Sequence, residues 1–214
     1  LDAAGQLDAE AASNRKHVER RAALATMIFG GLRIGELCAL RWRDVDLASG
    51  WLHVRAAKTS AGVRKVKLRG ALRDELTVAR ARAGATDGYV FPTREGGEQD
   101  THNIRTRVVG AAVKRASENL AAADLAPLPD KLTPHSLRRT FCSVLYALGE
   151  DPGTVMDEMG HTDPGLALRV YRQAMRREDT EKAALKALID GAELADSGRR
   201  AESEAEATEI QQAA

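Results

Sequence analysis

These 214 residues predict a mainly α-helical domain carrying a small antiparallel β-hairpin. Three observations carry that expectation. Apolar side chains recur at helical spacing in several segments, Thr-Pro or Asp-Pro pairs mark three helix starts, and one short stretch switches to strict alternation.

Residues 1–14 read as a linker or N-terminal extension, and Ser13-Asn14 can cap the helix that follows. Its apolar positions include Val18, Ala22, Ala25, Ile28 and Phe29, and Gly30-Gly31 stops it. A shorter helix then carries Arg33, Glu36, Leu37 and Leu40. After Ala48-Ser49-Gly50, the stretch from Trp51 to Ala56 alternates, with Leu52 and Val54 on one face. Val63 to Leu68 answers with Val66 and Leu68, so Lys58-Thr59-Ser60-Ala61-Gly62 would connect a hairpin. Helices are expected at about 70–83 and 101–118, with Tyr89-Val90-Phe91 as an extended piece between them. Residues 121–132, containing Pro127 and Pro129, read as a loop.

Thr133-Pro134, Asp151-Pro152 and Asp163-Pro164 each set an N-cap residue before a proline at the first helical position. In the first of these helices Leu137, Phe141, Val144, Leu145 and Leu148 form the buried stripe, and Gly149 ends it. Gly160 closes the second and releases His161 at a loop, while Tyr171 rides the third. Residues 178–189 are expected to form one more helix, with Leu185, Leu188 and Ile189 on its apolar side. The Ala/Glu-rich remainder is expected to be disordered. The organisation is therefore an extension at 1–14, a domain at 15–177 and a C-terminal helix with an acidic tail at 178–214.

Composition narrows the function. Only 4% of the chain is aromatic, so aliphatic side chains must build the core. Cys38 and Cys142 both fall in apolar helical patterns, as buried structural thiols of a reduced, intracellular protein do. No segment reaches the ~18 uninterrupted apolar residues of a membrane span, and residues 1–14 do not show a signal-peptide pattern. The formal net charge of +1 hides an asymmetry: residues 15–177 carry a net +10, against −3 before them and −6 after them. Arginine supplies most of that excess, which suits bidentate contact with a polyanion such as DNA.

Two arginines, two histidines and a tyrosine then stand out as a set suited to in-line displacement at a phosphodiester. His135 and Arg138 lie three apart in one first turn, facing a point near the positive end of their helix. Singly, each of these residues has a plainer reading: an ion-paired arginine, a structural histidine, a core tyrosine. Their order is the stronger signal: Gly31-Leu32-Arg33-Ile34-Gly35-Glu36-Leu37, a lysine in the hairpin, His135-Ser136-Leu137-Arg138, Gly160-His161, and Tyr171. Two histidines also raise the question of zinc, but no cysteine or carboxylate stands at ligand spacing, so no metal and no cofactor are expected.

That succession resembles the catalytic domain of the tyrosine recombinases, the phage integrase family, over about residues 10–176. The resemblance implies the family's fold, a mainly helical domain with a small sheet at one edge, and the following roles. Arg33 and Arg138 would clamp the non-bridging oxygens of the scissile phosphate. His135 would bond the phosphate and assist proton movement, and His161 would donate to a non-bridging oxygen. Lys58 would protonate the departing 5′ oxygen. Tyr171 would attack phosphorus and form a 3′-phosphotyrosyl link. Glu36, one turn from Arg33, would orient that arginine from behind.

The resemblance also implies double-stranded DNA as partner, a homotetramer on paired recombination sites, and possible accessory DNA-bending proteins. The bacterial cytoplasm, at the nucleoid, is the expected location. The family usually carries a further N-terminal helical domain that completes a clamp around DNA, so the chain is expected to be the catalytic fragment of a longer mobile-element integrase. The segment at 178–189 is expected to dock on a neighbouring subunit. Two other classes share this pattern: type IB topoisomerases, which reseal the same strand, and non-catalytic DNA-binding relatives of the fold.

Overall fold

A computed structural model of the chain describes residues 1–13, 19–55, 63–84, 87–129, 131–160, 165 and 179–190. Its elements are α1 (Asp2–Ser13), α2 (Arg20–Phe29), α3 (Ile34–Cys38), β1 (Val45–Asp46), β2 (Trp51–Val54), β3 (Arg64–Lys67), α4 (Gly70–Ala83), α5 (Thr101–Asn103), α6 (Ala111–Ala122), α7 (Pro134–Ala147), α8 (Pro152–Met159) and α9 (Asp179–Asp190). A short 3₁₀ turn at Trp42–Asp44 leads into β1.

Helix α2 lies at the centre of the domain. It is buried from Ala22 through Met27 and again at Phe29, the pattern of a helix enclosed on most sides rather than lying on a surface. Helices α1, α4 and α7 pack around it. Its small residues let those neighbours approach, and the Thr26 hydroxyl is satisfied by donating to the Ala22 carbonyl at 2.8 Å. The expected mainly helical fold with a small sheet at its edge is the fold found.

The hairpin forms as the alternation predicts, with Leu52 opposite Val66 and Val54 opposite Arg64. A third strand, β1, adds Val45 opposite Leu52, so the sheet order is β1-β2-β3, all antiparallel. Two residues are too few to show a period, which is why the alternation did not reveal β1. The connection that holds Lys58 lies outside the described residues.

Residues 2–13 correct the expectation of a linker at 1–14, because they form a helix packed on α2 and α6. Ala4 is fully buried, and the polar face is anchored by distant arginines: Asp8 to Arg20 at 3.2 Å, Asp2 to Arg21 at 3.0 Å and Glu10 to Arg115 at 2.7 Å. These partners are non-local, so a local reading of an Ala-rich acidic segment could not supply them. The helix expected at 101–118 also runs further, from α5 through a π-helical stretch at Ile104–Gly110 into α6, ending at Ala122.

The capping residues behave as their chemistry requires. The Thr133 hydroxyl accepts from the Ser136 amide at the start of α7, and an Asp151 carboxylate oxygen accepts from the Thr154 amide at the start of α8. Gly160 ends α8 in the left-handed region, with φ 59°. The third Pro-marked start, Asp163-Pro164, lies outside the described residues.

Helix α9 packs against α4 and α7 of its own chain. Ile189 is buried there. The approach is so close that a Cβ at Gly70 would overlap the Asp190 carbonyl.

Candidate active site

The site grows from the turn between α2 and α3. Gly31 adopts φ 59° there, and a Cβ at that position would overlap the Phe141 ring of α7. Only glycine fits both conditions. The turn delivers Arg33 to the N-cap position of α3, with φ −69° and ψ 150°. Glu36, one turn on, clasps it twice: its carboxylate accepts the Arg33 backbone N–H at 2.7 Å and the Arg33 guanidinium at 2.8 Å.

Arg138 arrives from α7. It is buried, and its two terminal nitrogens donate to the carbonyls of Gly31 and Met159. One guanidinium thus ties the α2–α3 turn to the end of α8. Arg33 reaches the same helix end, donating to the Gly160 carbonyl at 3.0 Å. The structure therefore brings together Arg33, Glu36 and Arg138, three residues that the sequence placed in one site. His135 stands exposed on the first turn of α7, one turn before Arg138. Lys58, His161 and Tyr171 lie outside the described residues.

A third guanidinium, which the sequence reading passed over, completes the cluster. Arg64 of β3 is buried and grips both Glu36 oxygens, at 2.9 and 2.8 Å. Its Nε donates to the Glu158 carbonyl at 2.6 Å. Three consecutive carbonyls at the C-terminal end of α8, those of Glu158, Met159 and Gly160, thus accept from Arg64, Arg138 and Arg33 in turn. Helix C-terminal carbonyls lack partners within the helix and carry the negative end of its dipole, so they hold cations well. Strand parity was the available signal for Arg64, since it shares the inward face with Val66 and Leu68. A charge on that face needs a buried partner.

Next to this cluster, Arg69 pairs with Glu158 at 2.9 Å and Glu150 at 3.1 Å, securing α8 by its side chain as well. Burial would lower the Arg69 guanidinium, but the bonds and charges of Glu158 and Glu150 outweigh it and raise it.

The electrostatics fit an anion site. Burial would push Glu36 up, but the bonds and charge of Arg64, joined by the Arg33 amide and guanidinium, hold its carboxyl below the usual range. Burial, followed by the repulsion of Arg33 and Arg64, pushes Arg138 down to about 10. It remains charged at neutral pH, but at a cost. Three guanidiniums around one carboxylate leave local positive charge in excess, and a phosphate gaining negative charge in a transition state would relieve that repulsion.

The other two tyrosines are committed elsewhere. Tyr146 is fully buried, which raises its phenol. Tyr89 lies beneath the Arg41 guanidinium, 4.2 Å from the ring centroid, and its hydroxyl donates to Glu98 at 3.3 Å. Among the described residues no group of His, Cys, Asp and Glu side chains could hold a metal ion.

A helical domain with an edge sheet, built around converging arginines, defines the class, and comparison with known proteins gives the family. The chain belongs to the phage integrase family, whose profile, "Phage integrase family", matches residues 2–178 and so includes α1. It is 33% identical over 144 residues to tyrosine recombinase XerC of Xanthomonas axonopodis pv. citri (strain 306), covering 67% of this chain and 43% of that protein. It is 29% identical over 177 residues to prophage integrase IntR of Escherichia coli (strain K12), covering 67% of this chain and 40% of that protein. The chain spans less than half the length of these curated relatives. Among solved structures, XerA recombinase is similar with a TM-score of 0.59 and 25% identity, covering 82% of this chain and 60% of that one. The Tn1549 transposon integrase in complex with transposon right end DNA shares the fold, with a TM-score of 0.61 and 22% identity over 78% of this chain and 57% of that one.

Proposed function

We propose that the chain is the catalytic part of a site-specific DNA recombinase of a mobile element, cutting and rejoining double-stranded DNA through a tyrosine. The Tyr171 phenolate oxygen attacks the scissile phosphorus, forming a 3′-phosphotyrosyl bond as the bond to the 5′ oxygen breaks. Lys58 supplies the proton that the departing 5′ oxygen takes up. Arg33 and Arg138 neutralise the non-bridging oxygens, with His135 and His161 as further donors. The freed 5′-hydroxyl of a partner strand then reverses the step, so the bond energy is conserved and no nucleotide triphosphate is needed.

The observation that carries this reading is the meeting of Arg33 and Arg138, from motifs a hundred residues apart, on adjacent carbonyls at the end of α8. Two guanidinium forks fixed side by side match two non-bridging oxygens of one phosphate. The partners are double-stranded DNA and three further copies of the protein on paired sites, with accessory DNA-bending proteins assisting. The work is done in the bacterial cytoplasm.

A duplex nicked beside the cleavage point traps the covalent step, because the short 5′ fragment diffuses away. Denaturing electrophoresis should show a protein–DNA adduct that is lost in Tyr171→Phe. An adduct surviving that substitution removes Tyr171 as nucleophile. Relaxation of supercoils without exchange between two duplexes would place the chain with the topoisomerases, and DNA binding with no adduct would make it a binding module.

A further inference from the structure

We propose that Arg64 is a positioning residue for strand cleavage, acting through Arg33. This rests on the recombinase reading above and assigns a role to a side chain outside the expected catalytic set. In this reading Arg64 acts on Arg33 through shared partners rather than on the DNA. What it touches is what holds Arg33 from both ends. On one side it binds both oxygens of Glu36, whose Oε1 and Oε2 accept from the Arg33 guanidinium and amide. On the other side its Nε holds the Glu158 carbonyl, two residues before the Gly160 carbonyl on which the Arg33 guanidinium rests.

The geometry requires an arginine. Two terminal nitrogens span the carboxylate while Nε, on the same rigid plane, addresses the helix end, an arrangement that fixes Glu36 relative to α8. A lysine ammonium is a point donor on a flexible stem and lacks the rigid plane that fixes the carboxylate relative to the helix end. Arg64 also belongs to the strand that leads out of the hairpin connection, opposite Val54. It therefore ties the sheet to α3, which presents Arg33, and to the end of α8, whose carbonyls accept from Arg33 and Arg138. Without it, Glu36 can follow Arg33 instead of directing it, and displacement of a reacting group by about 1 Å can slow chemistry roughly 10²-fold.

The test is a double-mutant cycle on single-turnover adduct formation at saturating DNA, using the nicked duplex and the full chain. Arg64→Gln should slow adduct formation about 10²-fold, with DNA affinity changed less than about threefold and melting still cooperative. Arg33→Lys supplies the second arm because it leaves a cation and a measurable rate. If Arg64 acts through Arg33, the double variant should be no slower than Arg33→Lys alone. Rates that multiply would overturn the proposal, because they mean that Arg64 acts independently. Should Arg64→Gln fail to fold, Arg64→Lys keeps the charge and should show slowed cleavage with unchanged DNA affinity. A wild-type rate in Arg64→Lys would also overturn it. Absence of any adduct from the unaltered chain would instead refute the recombinase reading, so the two failures are distinguishable.

Discussion

At the level of single residues, Glu36 controls the balance of the site. Its carboxylate accepts from both Arg33 and Arg64, and it is held below its ordinary value of 4.5. A carboxyl lowered in the folded state contributes stability that is fully present above its unfolded value and lost as pH falls through its folded value. Thermal melting followed from about pH 7 to about pH 3 should therefore show an acid limb that is shallower in Glu36→Gln than in the unaltered chain. Parallel acid limbs would show that Glu36 carries none of this dependence. The two cysteines allow a second check. Burial pushes both Cys38 and Cys142 up to about 11, so almost no thiolate exists at neutral pH. A disulfide reagent should find no fast-reacting thiol in the native chain and two after denaturation.

Which side chains meet was unequally legible in the sequence. Arg33, Glu36 and Arg138 were readable because each sits in a short motif whose spacing is set by one helical turn. Arg64 was not, because its partners lie on α3 and α8, 28 and 94 residues away. Strand parity alone said that it points inward; what waits inside is a tertiary fact.

At the level of elements, the turn at Gly31 joins the two halves of the site. Its left-handed backbone, the Phe141 ring above it and its carbonyl under Arg138 meet at one residue. Gly31→Ala should cost about 2–4 kcal/mol, from a positive φ imposed on a Cβ and its overlap with the ring. Urea denaturation would measure the loss, and a midpoint unchanged from the unaltered chain would contradict the stated overlap. Caps and prolines made α7 and α8 legible, since a cap's bond reaches only three residues along the chain. Helix α1 was not legible, because its stability comes from arginines on α2 and α6 and from the burial of small alanines.

At the level of the whole molecule, the charge segregation written in the sequence acquires a location. The excess cation content of residues 15–177 includes the cluster at the end of α8, and the helical frame around α2 holds it fixed. DNA affinity should accordingly fall steeply with salt, the logarithm of the binding constant declining linearly with the logarithm of salt concentration. Fluorescence anisotropy between about 50 and about 200 mM salt would measure the slope, and a flat response would count against phosphate contact as the main source of affinity. None of the described helices is long and apolar enough to cross a bilayer. The fold class was legible because it follows from periodicity. The seating of α9 on its own α4 and α7 was not, because an apolar stripe announces that it will be covered without naming the cover.

The acceptors at the end of α8 are main-chain atoms, and this has an evolutionary consequence. Exchanging the side chain of Met159 leaves its carbonyl where it was, so point substitutions in α8 can accumulate without disturbing the guanidiniums, provided the helix stays seated. A single-residue insertion in α8 is different in kind. It would turn every following carbonyl by about 100° around the helix axis, and Arg64, Arg138 and Arg33 would lose register together. Lineages carrying this architecture should therefore keep the length of α8, and vary in its letters mainly outside Glu158 and the buried Val155 and Met159.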